Sequence, residues 1–518
     1  MIVSKAALRH YVSRDFDNFL WIKKASPGEL RDELRRFDIR PRFKTEPWDH
    51  QLACFIIGYY FPRFLFLLDM GLGKTKIILD LLTQALREKR ATRALILVPR
   101  RLNMADWVTA AEAHSDLEPY LVDCQNGEEK LERLLNPRGD FTVIDYAGLH
   151  LATSEKKKTK KGLVLKKNQL VVEKLCRRYD FITADESHML SNHQSLWFSI
   201  ARQLTAAAAF TYATTGTLFA RDLEGIWSQF YLVDRGETFG PNLGLFRAAF
   251  FTAKAKPFGG VDFTFNQDQT RLLHRMIGNR SLRYEDREVR ADVPPVLPFR
   301  QLLRLPGEQK EHYLLALQGL INAGNNLEEM DAQWFRMRQI TSGYLEWKDE
   351  YGTHELVFKE NPKLVALDKI LDESYGNKVV ITCEYVRTGK LISDWLRVRK
   401  ISHEWLYGGT KDPAASKERF IKDPACRVLL MNSSVGGTGV NGLQWVAHVM
   451  VIYETPAMSA RAQVIKRLDR SGQEHPVRVV DLAMDRTIDV GLLDDIALGR
   501  DLHDRVMTGR ADLKKLFG

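Results

Sequence analysis

The chain has 518 residues, 45% hydrophobic and 27% charged, with Lys and Arg outnumbering Asp and Glu 76 to 66 for a net charge of +10. This length and balance exclude a disordered or fibrous polypeptide and leave room for two or three domains, each with its own core, while the positive excess weakly favours a polyanionic partner. Five scattered cysteines, none in a C-x-x-C pair, exclude a disulfide framework and a cysteine zinc site, and imply a reduced, cytoplasmic protein.

Residues 1–45 are charged and helix-like around Leu30 to Leu34, a short N-terminal lead-in. Pro47-Trp48-Asp49-His50-Gln51 then opens a helix. The apolar stretch from Ala53 to Leu68 is broken by Pro62 and Arg63, so it reads as a helix and a strand and not as a membrane span; no apolar leader precedes it. From Phe64 on, apolar strands alternate with helical stretches. Phe64–Leu68, Ala94–Val98, Phe141–Ile144, Phe181–Ala184 and Tyr212–Thr215 are the strands of a parallel sheet covered on both faces. This block spans residues 46–235. Residues 236–355 lose the alternation and read as a helical insertion and connector. A second alternating block, residues 356–485, carries strands at Lys378–Thr382, Arg427–Leu430, Val449–Ile452 and Val477–Val480, and residues 486–518 form a helical tail. The fold class is α/β, with two parallel-sheet lobes.

Chemistry gathers at the strand ends, where parallel sheets bind ligands. After Phe64–Leu68 comes Asp69-Met70-Gly71-Leu72-Gly73-Lys74-Thr75, then a helix. Strand, glycine turn, Gly-Lys-Thr and helix form a phosphate-binding loop, although Leu68 stands where the full pattern has its first glycine. Gly71 and Gly73 admit phosphates close to the backbone, and the helix N-terminus offers N–H groups. Lys74 would reach the β- and γ-phosphates and Thr75 would ligate Mg²⁺. Asp185 and Glu186 end a later strand, fit to hold Mg²⁺ and to activate water. Gln463, Arg467 and Arg470 fall at helical spacings of four and three, on one face able to grip a γ-phosphate. Seven lysines between Glu155 and Lys167, Lys156, Lys157 and Lys158 among them, form a basic loop: a solvated surface or a contact with nucleic-acid phosphates.

Asp-Met-Gly-Leu-Gly-Lys-Thr, Asp-Glu-Ser-His, Thr-Gly-Thr, Val-Gly-Gly-Thr-Gly-Val-Asn and Gln-x-x-x-Arg-x-x-Arg-x-Gly-Gln occur in the order found in superfamily-two helicases. Their wording resembles the Swi/Snf-like branch, from about Gln51 to Leu482. The resemblance implies two RecA-like lobes with ATP and Mg²⁺ between them and double-stranded DNA across both. It assigns Gln51 to adenine and Gly71, Leu72, Gly73, Lys74 and Thr75 to the phosphates. Asp185 and Glu186 match the metal and water residues, and Thr215, Thr217 and Gln463 the coupling residues. Gly436, Gly437 and Gly439 match a second-lobe loop facing ATP and DNA, and Arg467 and Arg470 match arginine fingers. Arg100, Tyr146, Lys363, Thr382 and Thr438 lie near DNA-backbone positions.

The chain departs from the pattern at Leu68-Asp69, at Leu218 in place of proline and at Asp469 in place of histidine, which marks a divergent member of bacterial or phage type. The implied activity is a DNA-stimulated ATPase that translocates on duplex DNA. The alternatives are a strand-separating helicase, a clamp that binds DNA without hydrolysing ATP, and a motor that remodels a protein–DNA complex through a protein partner.

Overall fold

The computed structural model describes residues 20–36, 38–159, 162–216, 223–255, 261–290, 293–324, 326–349, 351–433, 442–470 and 472–498. The chain divides into two compact units, 1–291 and 292–518. Among the described residues, no helix is long and apolar enough to cross a membrane.

The first unit is built on seven strands: β1 (Arg63–Leu68), β2 (Ala94–Val98), β3 (Pro119–Leu121), β4 (Phe141–Asp145), β5 (Phe181–Asp185), β6 (Phe210–Thr215) and β7 (Ser281–Tyr284). Their order across the sheet is β7-β1-β6-β5-β2-β4-β3, and every pair is parallel. The near-continuous apolar runs are explained by burial on both faces. Alternate residues of β1 enter different cores: Leu65 and Leu67 face one, Phe64, Phe66 and Leu68 the other. The helix Lys74–Arg87 buries Ile77, Ile78, Leu81, Leu82 and Ala85, as its spacing predicts. The lead-in helix Pro27–Arg36 adds Leu30 and Leu34 to the same core as Phe64 and Phe66.

The second unit carries a six-stranded parallel sheet: β8 (Val296–Leu303), β9 (Lys378–Cys383), β10 (His403–Leu406), β11 (Val428–Asn432), β12 (Ala447–Ile452) and β13 (Val477–Met484), in the order β8-β13-β12-β9-β11-β10. Val379, Ile381 and Cys383 of β9 face one core and Val380 the opposite one.

The segment expected to be a helical insertion, 236–355, does not stand apart. It supplies β7 to the first sheet, with Leu65 opposite Ser281, and β8 to the second, with Val296 opposite Val477. It also forms the hairpin Phe251–Ala255 with Val261–Phe265, and the first strand of the hairpin Tyr344–Asp349 with Gly352–Val357. Both sheet strands escape a periodicity reading for physical reasons. β7 is four residues long and includes the exposed Arg283. β8 is an edge strand with exposed Leu297, Phe299 and Leu302 and with Pro298 in its middle. The helices Gly307–Asn322 and Leu327–Ser342 of this segment pack together around Tyr313, Leu320, Trp334 and Met337. Ile488 and Leu492 of the helix Ile488–Ala497 close that core, so the first part of the expected tail belongs to the second unit.

Candidate active site

Parallel pairing brings three strand ends together. Leu67 of β1 lies opposite Thr215 of β6, and Thr214 of β6 lies opposite Asp185 of β5. The loop after β1, the threonines ending β6 and the Asp185-Glu186 pair therefore share one edge of the sheet. Gly71 and Gly73 have φ of 87° and 79°, the left-handed region that glycine enters without steric cost. Gly73 caps the helix that opens with Lys74 and Thr75. A Cβ on Gly73 would collide with the Gln51 amide. That amide is fixed from two sides: Gln51 Nε2 donates to the Leu72 carbonyl at 3.3 Å, and Gln51 Oε1 accepts from the Trp48 N–H at 3.1 Å. His50 Nε2 makes a further hydrogen bond to the Leu72 carbonyl at 2.8 Å.

Lys74 Nζ donates to the Leu68 carbonyl at 3.1 Å and lies 3.5 Å from Glu186 Oε1. Glu186 adopts φ of 48°, a conformation costing a non-glycine residue about 1–3 kcal/mol. Its Oε2 meets His188 Nδ1 at 3.2 Å and accepts from Thr215 Oγ1 at 3.4 Å. Burial pushes the Glu186 carboxyl up, but Lys74 and His188 outweigh it and hold the group below the usual carboxylate range. Asp185 moves the other way. Its burial, and then the negative charge of Glu186, push its carboxyl up, while Thr214, Lys74 and Trp107 oppose that shift. Asp185 Oδ1 accepts from Thr214 Oγ1 at 2.7 Å and from the Glu186 N–H at 3.0 Å; Oδ2 accepts from Trp107 Nε1 at 3.3 Å. A buried carboxylate under such pressure, with one oxygen lightly bonded, suits a divalent cation, which favours the ionised form. Asp185 and the Thr75 hydroxyl are the residues that would hold Mg²⁺, a hard cation that takes oxygen ligands.

Of the other expected residues, Thr215 is buried at the end of β6. Gly216 follows it close to the loop: a Cβ there would stand 3.2 Å from the Leu68 carbonyl oxygen and 3.7 Å from Lys74 Nζ. Thr217 and the loop with Gly436, Gly437, Thr438 and Gly439 lie outside the described residues. Arg100 is exposed just after β2. The lysine-rich stretch forms an antiparallel hairpin, Ser154–Thr159 with Gly162–Lys167; the side chains of Lys156, Lys157 and Lys158 lie outside the described residues. Asp69, the displaced acid of the loop, accepts from the Asp286 N–H at 3.0 Å and so ties the loop to the start of the short helix Asp286–Val289 after β7.

Three residues expected near the DNA backbone are interior. Tyr146 is buried, donates its hydroxyl to the Asp185 carbonyl at 2.7 Å and stacks on Trp197. Thr382 is buried within β9. Lys363 is fully buried, donating to the Tyr453 carbonyl at 2.9 Å and pairing with Asp489 Oδ2 at 2.7 Å. Lys363 therefore anchors the helix Ile488–Ala497 to its unit. Lys363→Met is expected to cost about 3–5 kcal/mol, because it strands the Asp489 carboxylate in the interior. Urea unfolding measures this; intact stability combined with weakened DNA binding would instead return Lys363 to the DNA surface.

The expected single helix through Gln463, Arg467 and Arg470 is shorter. The helix Met458–Ile465 carries Gln463 but ends before both arginines. Arg467, buried, and Arg470, half-buried, sit in the tight turns that follow, where the Arg467 N–H donates to the Val464 carbonyl and the Arg470 N–H to the Leu468 carbonyl. Spacing alone cannot tell a helix from successive turns over so short a run. Sequence reasoning also missed Trp107, Thr214 and Gly216 as site residues. Thr214 and Gly216 flank Thr215 and follow from the strand pairing, whereas Trp107 reaches the site from the distant helix Leu102–His114, and only the fold reveals it.

The SNF2-related domain family matches residues 64–347. The chain is 21% identical over 478 residues to "Chromatin structure-remodeling complex subunit snf21" of Schizosaccharomyces pombe, covering 86% of this chain and 38% of that protein. It is 24% identical over 513 residues to "RNA polymerase-associated protein RapA" of Erwinia tasmaniensis, covering 87% of this chain and 49% of that protein. The chain thus spans less than half the length of these relatives. A solved chain described as "Sulfolobus solfataricus SWI2/SNF2 ATPase core in complex with dsDNA" aligns at 19% identity over 92% of this chain and 97% of that one, with a TM-score of 0.40. With the family match spanning more than half of its residues, and with a glycine loop, Lys74 and an Asp-Glu pair at adjoining strand ends, the chain belongs to the SNF2-related domain family.

Proposed function

We propose that the chain is an ATP-driven motor that hydrolyses ATP in the presence of Mg²⁺, moves along double-stranded DNA without reading its sequence, and remodels DNA or protein–DNA complexes in the cytoplasm. The observation that carries this reading is the Lys74–Glu186 approach beside a glycine loop on a parallel sheet edge. An ammonium that can meet a terminal phosphate then stands next to a carboxylate held ionised and able to take a proton from water. Gln51 is assigned to the adenine edge and Gly71, Leu72, Gly73 and Thr75 to the phosphates. Mg²⁺, once bound, would neutralise charge on the β- and γ-phosphates; Asp185 and Thr75 are its proposed holders. Thr215, Thr217 and Gln463 are assigned to coupling. Arg467 and Arg470 are the second unit's proposed contribution to hydrolysis, together with Gly439. Arg100, Thr438 and the lysine hairpin are the proposed DNA contacts. Contacts with phosphates carry no sequence information and weaken with salt.

The decisive measurement is ATP turnover without nucleic acid and with single-stranded DNA, duplex DNA or RNA. Stimulation by duplex DNA is the expected result; stimulation by RNA alone, or no turnover, overturns it. Displacement of a labelled strand from a fork would shift the reading to a strand-separating helicase. Deleting residues 156–167 is expected to weaken duplex binding and to flatten its dependence on the logarithm of salt concentration, by about 0.9 for each DNA phosphate that the hairpin neutralises. Salt titration of the deletion variant measures that slope; an unchanged slope makes the hairpin a solvated surface.

A further inference from the structure

We infer that Trp107 is a positioning residue for Asp185: its indole N–H completes the orientation in which the Asp185 carboxylate is presented to the divalent cation of the nucleotide. This rests on the reading of Asp185 as a metal-holding residue. Trp107 belongs to the helix Leu102–His114, far in sequence from the strand that ends in Asp185. Its ring is 2% exposed and packs edge-on against Phe141 at 6.4 Å between centroids. A buried indole needs an acceptor for its single N–H. Here that acceptor is Asp185 Oδ2, at 3.3 Å.

The two oxygens of Asp185 are not equivalent. Oδ1 accepts two donors, the Thr214 hydroxyl at 2.7 Å and the Glu186 N–H at 3.0 Å. Among the described residues, Oδ2 accepts the indole alone, and at the longer distance. Oδ2 therefore keeps the acceptor capacity for a cation or one of its waters. Tyr146 fixes the same residue from behind, donating its hydroxyl to the Asp185 carbonyl at 2.7 Å. With the backbone and Oδ1 already held, Trp107 completes the orientation of the carboxylate. A metal ligand oriented by a second hydrogen-bonding shell loses about 10- to 100-fold in metal affinity when that shell is removed. One long hydrogen bond out of several falls at the low end of that range.

The test is Trp107→Phe, which keeps an aromatic ring in the core and deletes the N–H together with part of the indole's volume. Mg²⁺ is titrated at fixed ADP in the full chain, with binding of a fluorescent ADP analogue as the readout and ATP turnover as a parallel one. The Mg²⁺ concentration at half-saturation is expected to rise about 10-fold, with ADP binding restored at high Mg²⁺. Trp107→His, whose ring N–H can still donate, is expected to recover part of the shift. Should Trp107→Phe fail to fold, Trp107→Leu takes its place, because it too lacks a donor: a folded Trp107→Leu whose Mg²⁺ dependence is unchanged overturns the assignment. Unchanged Mg²⁺ dependence in Trp107→Phe does the same. A wild-type chain that binds ADP with Mg²⁺ yet turns over no ATP would defeat the motor reading while leaving this inference to the binding arm.

Discussion

Lys74→Ala is expected to lower ATP turnover by on the order of 10³-fold, the scale seen when one preorganised charge donor is removed from a reacting group. The geometry explains the size of the effect. Lys74 opens a helix whose N-terminus already faces the loop, so its ammonium adds a full charge to the partial charges of the backbone N–H groups. The ammonium is also the main group holding Glu186 in its ionised form against burial. The substitution therefore removes the phosphate clamp and at the same time lets the Glu186 carboxyl rise toward its ordinary range or above. Stopped-flow phosphate release with saturating duplex DNA measures the effect. Turnover within a few-fold of the unmodified chain would place the nucleotide elsewhere.

Glu186→Gln is expected to slow turnover by about 10²–10⁴-fold, the contribution of a positioned general base, while nucleotide affinity stays within a few-fold. Glutamine keeps the shape, so contacts with Thr215 and His188 can persist. What disappears is the negative charge and the capacity to take a proton from water. The same charge helps push the Asp185 carboxyl upward, so its removal lets Asp185 ionise more readily and favours the bound cation. The variant should accordingly retain Mg²⁺-dependent ADP binding, measurable by titration calorimetry. Loss of nucleotide binding would mean that Glu186 holds the loop together through Lys74 and takes no part in the chemistry.

The central strands of both sheets were legible because residues buried on two faces leave a mark that needs no partner to be seen: Phe64–Leu68 is apolar at every position. The phosphate loop and the Asp185-Glu186 pair were legible because their chemistry is packed into a few consecutive residues. The edge strands β3, β7, β8 and β10 were not, since an edge strand is defined by what it pairs with, and Ser281–Tyr284 becomes a strand through its pairing with β1. Lys363 and Tyr146 show the same limit. Lysine and tyrosine at strand or helix ends fit a surface role equally well until Asp489 and the Asp185 carbonyl are found beside them.

The amino-acid order by itself determined the α/β class, the phosphate loop and the carboxylate pair, because each depends on residues adjacent along the backbone. Tertiary structure alone decided that β6 delivers Thr214, Thr215 and Gly216 to that loop, that Trp107 reaches Asp185, that Lys363 and Tyr146 are interior, and that Arg467 and Arg470 lie in turns past a helix end. Those outcomes depend on strand register and on burial, which arise only when distant segments compete for the same space.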